Sequence, residues 1–509
     1  MSRKNYLIKR FGKGFPGLIT GLAVFGGILA FTDLKPGHPE ITRMFAVTCL
    51  MAIWWVSEAL PLAVTALVPV LLFPLMGIMD GAKVSAVYFN HIIFLFIGGF
   101  MVALAMEKWN LHKRIALKVL LLVGISPGKI LFGFMLATFF LSMWISNTSS
   151  TMMMIPIVIS VIAGLEDTLG KGSLNKYSVG LLLGIAYASS IGGMSTLVGT
   201  PTNLVLPQVL TILFPGSPAI GFTQWFAFAF PISLMMFIAA FVLLFLKFHP
   251  DTKWQGLDKG TFIAEYNLLG KKSPEEKVIL FLFLSLAFLW TFRTDIKFDT
   301  FTIPGWTGIF PYASYINDGT IAIFISVLLF ILPSRSEPGE KLLDWNTANK
   351  VPWNIVLLFG GGFALALGFE STGLAIWFGE QLQWTRLINV YLILVIIVTL
   401  MSFLTELTSN VASTQILLPI FAALAVSSGN NPLILMIPVT LASSLAFMLP
   451  TATPPNAIIF GSGRMQISTM VRTGFVLNMI GIVIIVFYTM ITGNSIFDIQ
   501  PGQLPFWAR

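Results

Sequence analysis

Residues 144–156 read WISNTSSTMMMIP and residues 407–419 read LTSNVASTQILLP. Both fit Ser-Asn-x-x-Ser-Thr-x-x-x-x-Pro, through Ser146, Asn147, Ser150, Thr151 and Pro156 in the first copy. Ser409, Asn410, Ser413, Thr414 and Pro419 fill the second. A single Ser-Asn ahead of an apolar run is ordinarily a helix N-cap, since both side chains accept from the orphan N–H groups of a starting helix. Two copies in sequence apolar enough for lipid call for a further reason.

The repeat extends beyond the motif. Moving the first half by 263 residues lays Phe96, Gly98, Gly99, Phe100 and Glu107 on Phe359, Gly361, Gly362, Phe363 and Glu370. Downstream, GTPTN (199–203) matches ATPPN (452–456) at an offset of 253. Each half therefore runs from a Gly-rich helix ending in Glu, through a Ser-Asn segment, to a helix broken at Thr-Pro-x-Asn. If each Ser-Asn segment dips in and out as a hairpin, an odd number of spans per half inverts the second half. Inverted repeats with broken helices are how secondary transporters build a midplane site.

Only 10% of the 509 residues are charged and the mean hydropathy is +0.87. Twenty-two acids and 30 bases cannot cover a water-facing surface of this size, against about 25% charged residues in soluble domains. The chain reads as an all-α integral membrane protein with the lipid bilayer as its solvent. Apolar stretches near 14–32, 43–58, 61–79, 90–107, 178–198, 222–246, 278–292, 318–333, 352–369, 387–404, 433–450 and 473–492 predict helices. The formal charge of +8 does not imply nucleic acid, because the bases gather at segment ends. Arg3, Lys4, Lys9, Arg10 and Lys13 precede the first apolar run, and Lys247, Lys253, Lys259, Lys271, Lys272 and Lys277 share one loop. Lys/Arg-rich short loops stay cytoplasmic, which places the N-terminus and residues 247–277 inside. The first apolar run reads as a retained helix. Four sections follow: residues 1–36, a first repeat over 37–246, the polar loop 247–277, and a second repeat over 278–509.

Cys49 is the lone cysteine and the four histidines are scattered, so neither a disulfide nor a metal cluster is expected. No paired acids or charged base stand near either motif, which argues against an intramembrane enzyme. No organic cofactor is implied. A helix starting at Ser146 or Ser409 within the membrane presents backbone donors and about half a positive charge, a natural seat for a carboxylate. Two such ends suit a ligand with two separated carboxylates, yet supply about one positive charge against two negative ones. The remainder calls for a cation. Carbonyls freed near Ser142, Thr405, Gly199 and Ala452, with Ser and Asn oxygens, make hard-oxygen positions suited to Na+. Glu406 has apolar Met143 as its counterpart at the 263-residue offset, so it lies outside the repeat and reads as a structural hydrogen-bonding group.

These landmarks resemble the divalent anion/sodium symporter family of carboxylate transporters. The residues that carry the likeness are Ser146-Asn147-Thr148, Ser409-Asn410-Val411, GTPTN at 199–203, MLPTATPPNAIIFGSG at 448–463 and IWWVSEALPL at 53–62. The resemblance implies a homodimer in a bacterial plasma membrane, with a static scaffold and a transport domain that moves like an elevator. It implies re-entrant hairpins tipped by the Ser-Asn motifs. Carried over, Ser146, Asn147, Thr148, Thr202, Ser409, Asn410, Val411 and Pro455 contact a C4–C5 dicarboxylate. Ser142, Ser146, Asn147 and Gly199 shape one Na+ site, and Thr405, Ser409, Asn410 and Ala452 a second. Val411 stands where many members carry Thr, and Ser149 and Thr451 are polar where small apolar residues are expected. Because the family includes exchangers, coupling is either Na+ symport or dicarboxylate exchange. Tricarboxylate or sulfate transport on the same architecture remains open, and an anion channel is the remoter alternative.

Overall fold

A computed structural model describes residues 14–124, 126–169, 174–249, 260–297 and 301–509. The bases from Arg3 to Lys13, with Lys253 and Lys259, lie outside the described residues. Helix α1 (Phe15–Phe31) and α2 (Pro39–Val56) form an antiparallel pair, stitched where the Trp54 indole donates to the Leu18 carbonyl at 3.3 Å. The expected helix over 61–79 is two short pieces, Leu62–Thr65 and Val68–Leu75. Pro69 and Pro74 lack the N–H that an uninterrupted helix would use. Helix α3 (His91–Lys108) starts on Asn90, whose side chain accepts from the Ile92 and Ile93 N–H groups.

Helices α4 (Pro127–Ser142) and α5 (Asn147–Leu169) flank the first Ser-Asn motif. Helix α6 (Asn175–Met194) and α7 (Pro201–Leu213) flank the first Thr-Pro-x-Asn, and α8 (Phe222–Phe248) closes the half. The second half follows with α9 (Pro274–Thr291), a two-residue ribbon of β1 (Ile296–Lys297) and β2 (Thr302–Ile303), α10 (Asp318–Ile331) and α11 (Trp353–Thr372). Helices α12 (Val390–Leu404) and α13 (Asn410–Ser427) flank the second Ser-Asn. Then come α14 (Leu433–Ala442), α15 (Pro454–Phe460) and α16 (Ile467–Phe497). Among the described residues, seven helices are long and apolar enough to cross a membrane. Additional helices at Gly81–Ala86, Leu111–Val123, Gly260–Leu268 and Leu374–Gln381 fall outside the hydropathy-based expectation. They are short, or carry charge enough to lower the apolar signal.

Two expected helices, 178–198 and 433–450, end early, at Met194 and Ala442. The following prolines, Pro201 and Pro454, are first residues of new helices, and a residue before proline is kept out of the helical region. Each break needs partners for its freed carbonyls, and both halves use the same asparagine. Asn203 Nδ2 donates to the Gly193 and Thr196 carbonyls at 3.1 and 2.7 Å, and also to Met194. Asn456 Nδ2 donates to the Ala446 and Leu449 carbonyls at 2.9 and 3.0 Å. The acceptors lie ten and seven residues upstream in both cases, so the sequence offset of 253 is also an offset in hydrogen bonding.

Helix α6 is buried from Tyr177 to Met194 and lies against α4 and α8. At Gly193 a Cβ would collide with the Asn147 amide, and at Gly199 it would lie 2.6 Å from the Gly193 carbonyl oxygen. Glycine at these two places lets the hairpin tip and the break approach each other. A smaller apolar cluster joins α2, residues 62–88 and α11 through Met44, Trp55, Phe73 and Phe369.

Candidate substrate site

A cavity of about 650 Å³ lies where the two halves meet, within the usual range for small-molecule sites. Ser146, Asn147, Thr148, Thr202, Ser409, Asn410, Val411 and Pro455, all read from the sequence as substrate contacts, line it together. Gly199 and Ala452 line it as well, whereas Ser142 and Thr405 are buried behind its wall. Thr451 also lines the wall, while Ser149 turns back on Ser146, its N–H donating to Ser146 Oγ and its own Oγ accepting from the Ser146 hydroxyl.

Each Ser-Asn tip starts a helix. Ser146 Oγ accepts from the Ser149 N–H at 3.1 Å, and the Ser146 carbonyl accepts from the Ser150 N–H. Ser409 repeats the pattern with Ala412 and Ser413. The N–H groups of Asn147, Thr148, Asn410 and Val411 belong to first turns, where no intrahelical acceptor exists. They are the donors left for the cavity. The breaks add two more starting helices, since Thr200, Pro201, Thr453 and Pro454 line the same space. Four helix N-termini therefore converge where the sequence promised two. Their N-termini bring local positive ends and free N–H groups to the cavity, while the carbonyl ends of α4, α6, α12 and α14 lie beside the same tips and breaks. Pro201, Pro454 and Pro455 have no N–H, so the break helices contribute field more than hydrogen bonds.

The breaks also bind the halves together. The Tyr187 hydroxyl donates to the Phe447 carbonyl at 3.0 Å, and Thr202 Oγ1 lies 3.5 Å from Ser444 Oγ. Glu406 has the hydrogen-bonding place its sequence position implied. Its carboxylate accepts from the Met448 and Leu449 N–H groups and from Asn478 Nδ2, at 2.8 to 3.0 Å. In the first half, a neutral contact holds the corresponding break, with the Thr196 hydroxyl donating to the Met143 carbonyl at 2.5 Å.

The two halves differ beside the asparagines. Ser142 Oγ donates to Asn147 Oδ1 at 2.7 Å. Its counterpart Thr405 donates to the Met401 and Ser402 carbonyls of its own helix. Asn410 Oδ1 is consequently buried without a hydrogen-bond donor. A buried, unmatched carbonyl-type oxygen is costly and fits a hard cation such as Na+. No group of three His, Cys, Asp or Glu side chains that could hold a metal exists among the described residues.

Reading the sequence for motifs missed some of the lining: Trp55, Glu58, Thr200, Thr408 and Thr453. Thr200 and Thr453 were legible as the residues before Pro201 and Pro454. Glu58 was signalled only as a lone acid in IWWVSEALPL.

Helical halves meeting at broken helices define a membrane transporter fold. Solved structures agree: the chain matches Neisseria gonorrhoeae MtrF with a TM-score of 0.54 at 12% identity, over 92% of this chain and 96% of that one. It matches Alcanivorax borkumensis YdaH with a TM-score of 0.51 at 13% identity, over 82% and 90%. At those identities the likeness concerns the fold. The family follows from sequence. Residues 15–499 match the sodium:sulfate symporter transmembrane region, and the chain belongs to that family of membrane transporters, which are not enzymes. The sodium-dependent dicarboxylate transporter SdcS of Staphylococcus saprophyticus is 40% identical over 479 residues, 92% of this chain and 89% of that protein. SdcS of Staphylococcus aureus is 41% identical over 490 residues, 93% and 91%.

Proposed function

We propose that this protein is a secondary transporter of C4–C5 dicarboxylates such as succinate, fumarate, malate and 2-oxoglutarate, coupled to Na+ symport. The observation that carries this reading is the convergence of four helix N-termini on a cavity whose described lining includes no lysine or arginine. Such a site attracts a dianion without a fixed cation that would hold it too tightly to release. Two separated tips, Asn147-Thr148 and Asn410-Val411, favour separated carboxylates over compact sulfate. The unmatched Asn410 Oδ1 supports Na+ as co-substrate over exchange, as do relatives named as sodium-dependent dicarboxylate transporters.

The mechanism follows from the shape. Helices α4 and α12 have 16 and 15 residues, about 24 and 22 Å long at 1.5 Å per residue. Both fall short of the ~30 Å hydrocarbon core. Each therefore turns back at its Ser-Asn tip as a re-entrant hairpin, and the two halves form an inverted repeat. The hairpins and broken helices are the moving transport domain of an elevator, and α1–α3 with α9–α11 are the scaffold. Scaffolds pair into a homodimer in the bacterial plasma membrane. With the N-terminus cytoplasmic, the start of α1 lies beside Glu58 and Ala59, so the cavity opens inward.

Na+ bound at the neutral oxygens compensates the dianion and adds to the field of the helix ends. Dissociation of Na+ weakens that field and releases the anion. Asn147→Ala and Asn410→Ala should each abolish succinate uptake by proteoliposomes while leaving a folded, monodisperse protein. Full activity in either variant sinks the two-tipped site.

A further inference from the structure

Glu58 is the sole ionisable side chain among the described residues lining the cavity, and it is exposed there. It sits where α2 ends. The Ser57 N–H donates to the Ile53 carbonyl at 2.9 Å, the Ala59 N–H reaches back to the Trp54 carbonyl at 3.1 Å, and Glu58 has φ of +47°. That six-residue closure over a left-handed residue is the Schellman ending, whose position favours glycine because any Cβ is crowded there. Only three described non-glycine residues adopt positive φ. The turn by itself would be better served by glycine. A strained acid in the wall of an anion site points to function rather than to local structure.

We propose that Glu58 is a charge-selectivity residue at the mouth of the cavity, its carboxylate opposing each anion in proportion to the anion's charge. This rests on the dicarboxylate reading above. The helix N-termini at Asn147, Pro201 and Asn410 attract any anion, and more strongly the more charge it carries. A fixed negative group at the rim restores a ceiling, so dianions enter and leave freely while trianions meet the larger opposition. The same charge speeds release of a dianion into the compartment on which the mouth opens.

The magnitude follows from Coulomb's law. A unit charge about 10 Å away through water-like dielectric changes binding about twofold per unit of ligand charge. Removing it at low ionic strength should tighten a dianion about fourfold and a trianion about eightfold. Salt screens charges of this exposure, so both effects should shrink together as ionic strength rises.

The test is binding to the purified full-length protein at fixed Na+, with labelled succinate displaced by unlabelled succinate or by fully ionised citrate. Ionic strength is set with choline chloride. Glu58→Gln and Glu58→Gly both remove the charge, and the glycine variant suits the left-handed turn, so it should keep or raise thermal stability. Both are expected to strengthen citrate about twice as much as succinate at low salt, and Glu58→Asp is expected to restore the wild-type ratio. Equal shifts for the two anions, no shift for either, or a ratio indifferent to salt overturns the inference. Failure of the wild-type protein to bind succinate overturns the dicarboxylate reading, and this inference with it.

Discussion

Gly193→Ala separates the fold of this protein from its site. Gly193 lies in α6, where alanine is the better helix former by about 1 kcal/mol. A Cβ there would stand 3.0 Å from Asn147 Nδ2 and 3.1 Å from Asn147 Cγ, and closer still to Oδ1. The obstructing group is the end of one flexible side chain, so the backbone can stay while the amide swings aside. That movement breaks the 2.7 Å contact from Ser142 Oγ and removes the amide from the cavity. Hydrogen bonds to charged groups contribute about 1.5–3 kcal/mol each, so losing one weakens a carboxylate ligand roughly 10- to 150-fold. Calorimetric titration with succinate in Na+, beside thermal unfolding followed by tryptophan fluorescence, reads both quantities. The expected result is affinity lower by at least tenfold with an unchanged or slightly higher Tm. Wild-type affinity with the fold intact would refute the placement of Asn147, and a collapse in Tm would refute the claim that only a side chain stands in the way.

Other perturbations follow from the same geometry. Asn203→Ala and Asn456→Ala each leave two or more break carbonyls without their donor. At about 1–3 kcal/mol per orphaned buried group, each should lower Tm by several degrees, and an unchanged Tm would show that the breaks are held otherwise. Glu406→Gln can keep its oxygen on the Met448 and Leu449 N–H groups but sets an NH2 against Asn478 Nδ2 and removes the charge that strengthens all three bonds. It should destabilise the protein, whereas Met143→Leu at the equivalent place in the first half should be nearly neutral. Outside the membrane, the Lys108 ammonium at 2.7 Å from Asp344 holds that carboxyl well below the usual carboxylate range, with help from Thr347. A depressed folded value means the stabilisation is complete above about pH 4, the ordinary range for an unfolded Asp, and fades as pH falls through the folded value. Asp344→Asn should therefore melt below wild type at pH 7 and approach it in acid, and a gap of the same size at both pH values would contradict the ion pair's role.

The repeat was the most legible feature, because matching motifs in the same order, at offsets of 263 and 253 residues, survive any uncertainty in helix ends. The tips at Ser146 and Ser409 could be read as helix starts from residue type alone. The early ends of α6 and α14 could not, since Ser195-Thr196 and Ser443-Ser444 are tolerable in a helix until Asn203 and Asn456 offer the backbone other partners. The sequence placed breaks at Thr200-Pro201 and Thr453-Pro454 without showing that the helices they start face the cavity. Glu58 stood out only as a lone acid in IWWVSEALPL, for a different reason. Its place in the wall depends on α2 stopping beside a cavity whose other walls come from residues as distant in sequence as Ser146, Ser409 and Pro455. The asymmetry at Asn410 also needed coordinates, because Ser142 and Thr405 are both hydroxyls and differ only in where they donate.

A site shared by a dianion and Na+, built from helix ends and neutral oxygens, makes uptake of one depend on the other. Uptake of labelled succinate by proteoliposomes tests it most directly, with an inward Na+ gradient, without Na+, and with or without unlabelled dicarboxylate inside. Concentrative uptake should need the Na+ gradient and proceed without internal substrate. Uptake that requires internal dicarboxylate and ignores Na+ would contradict the shared site.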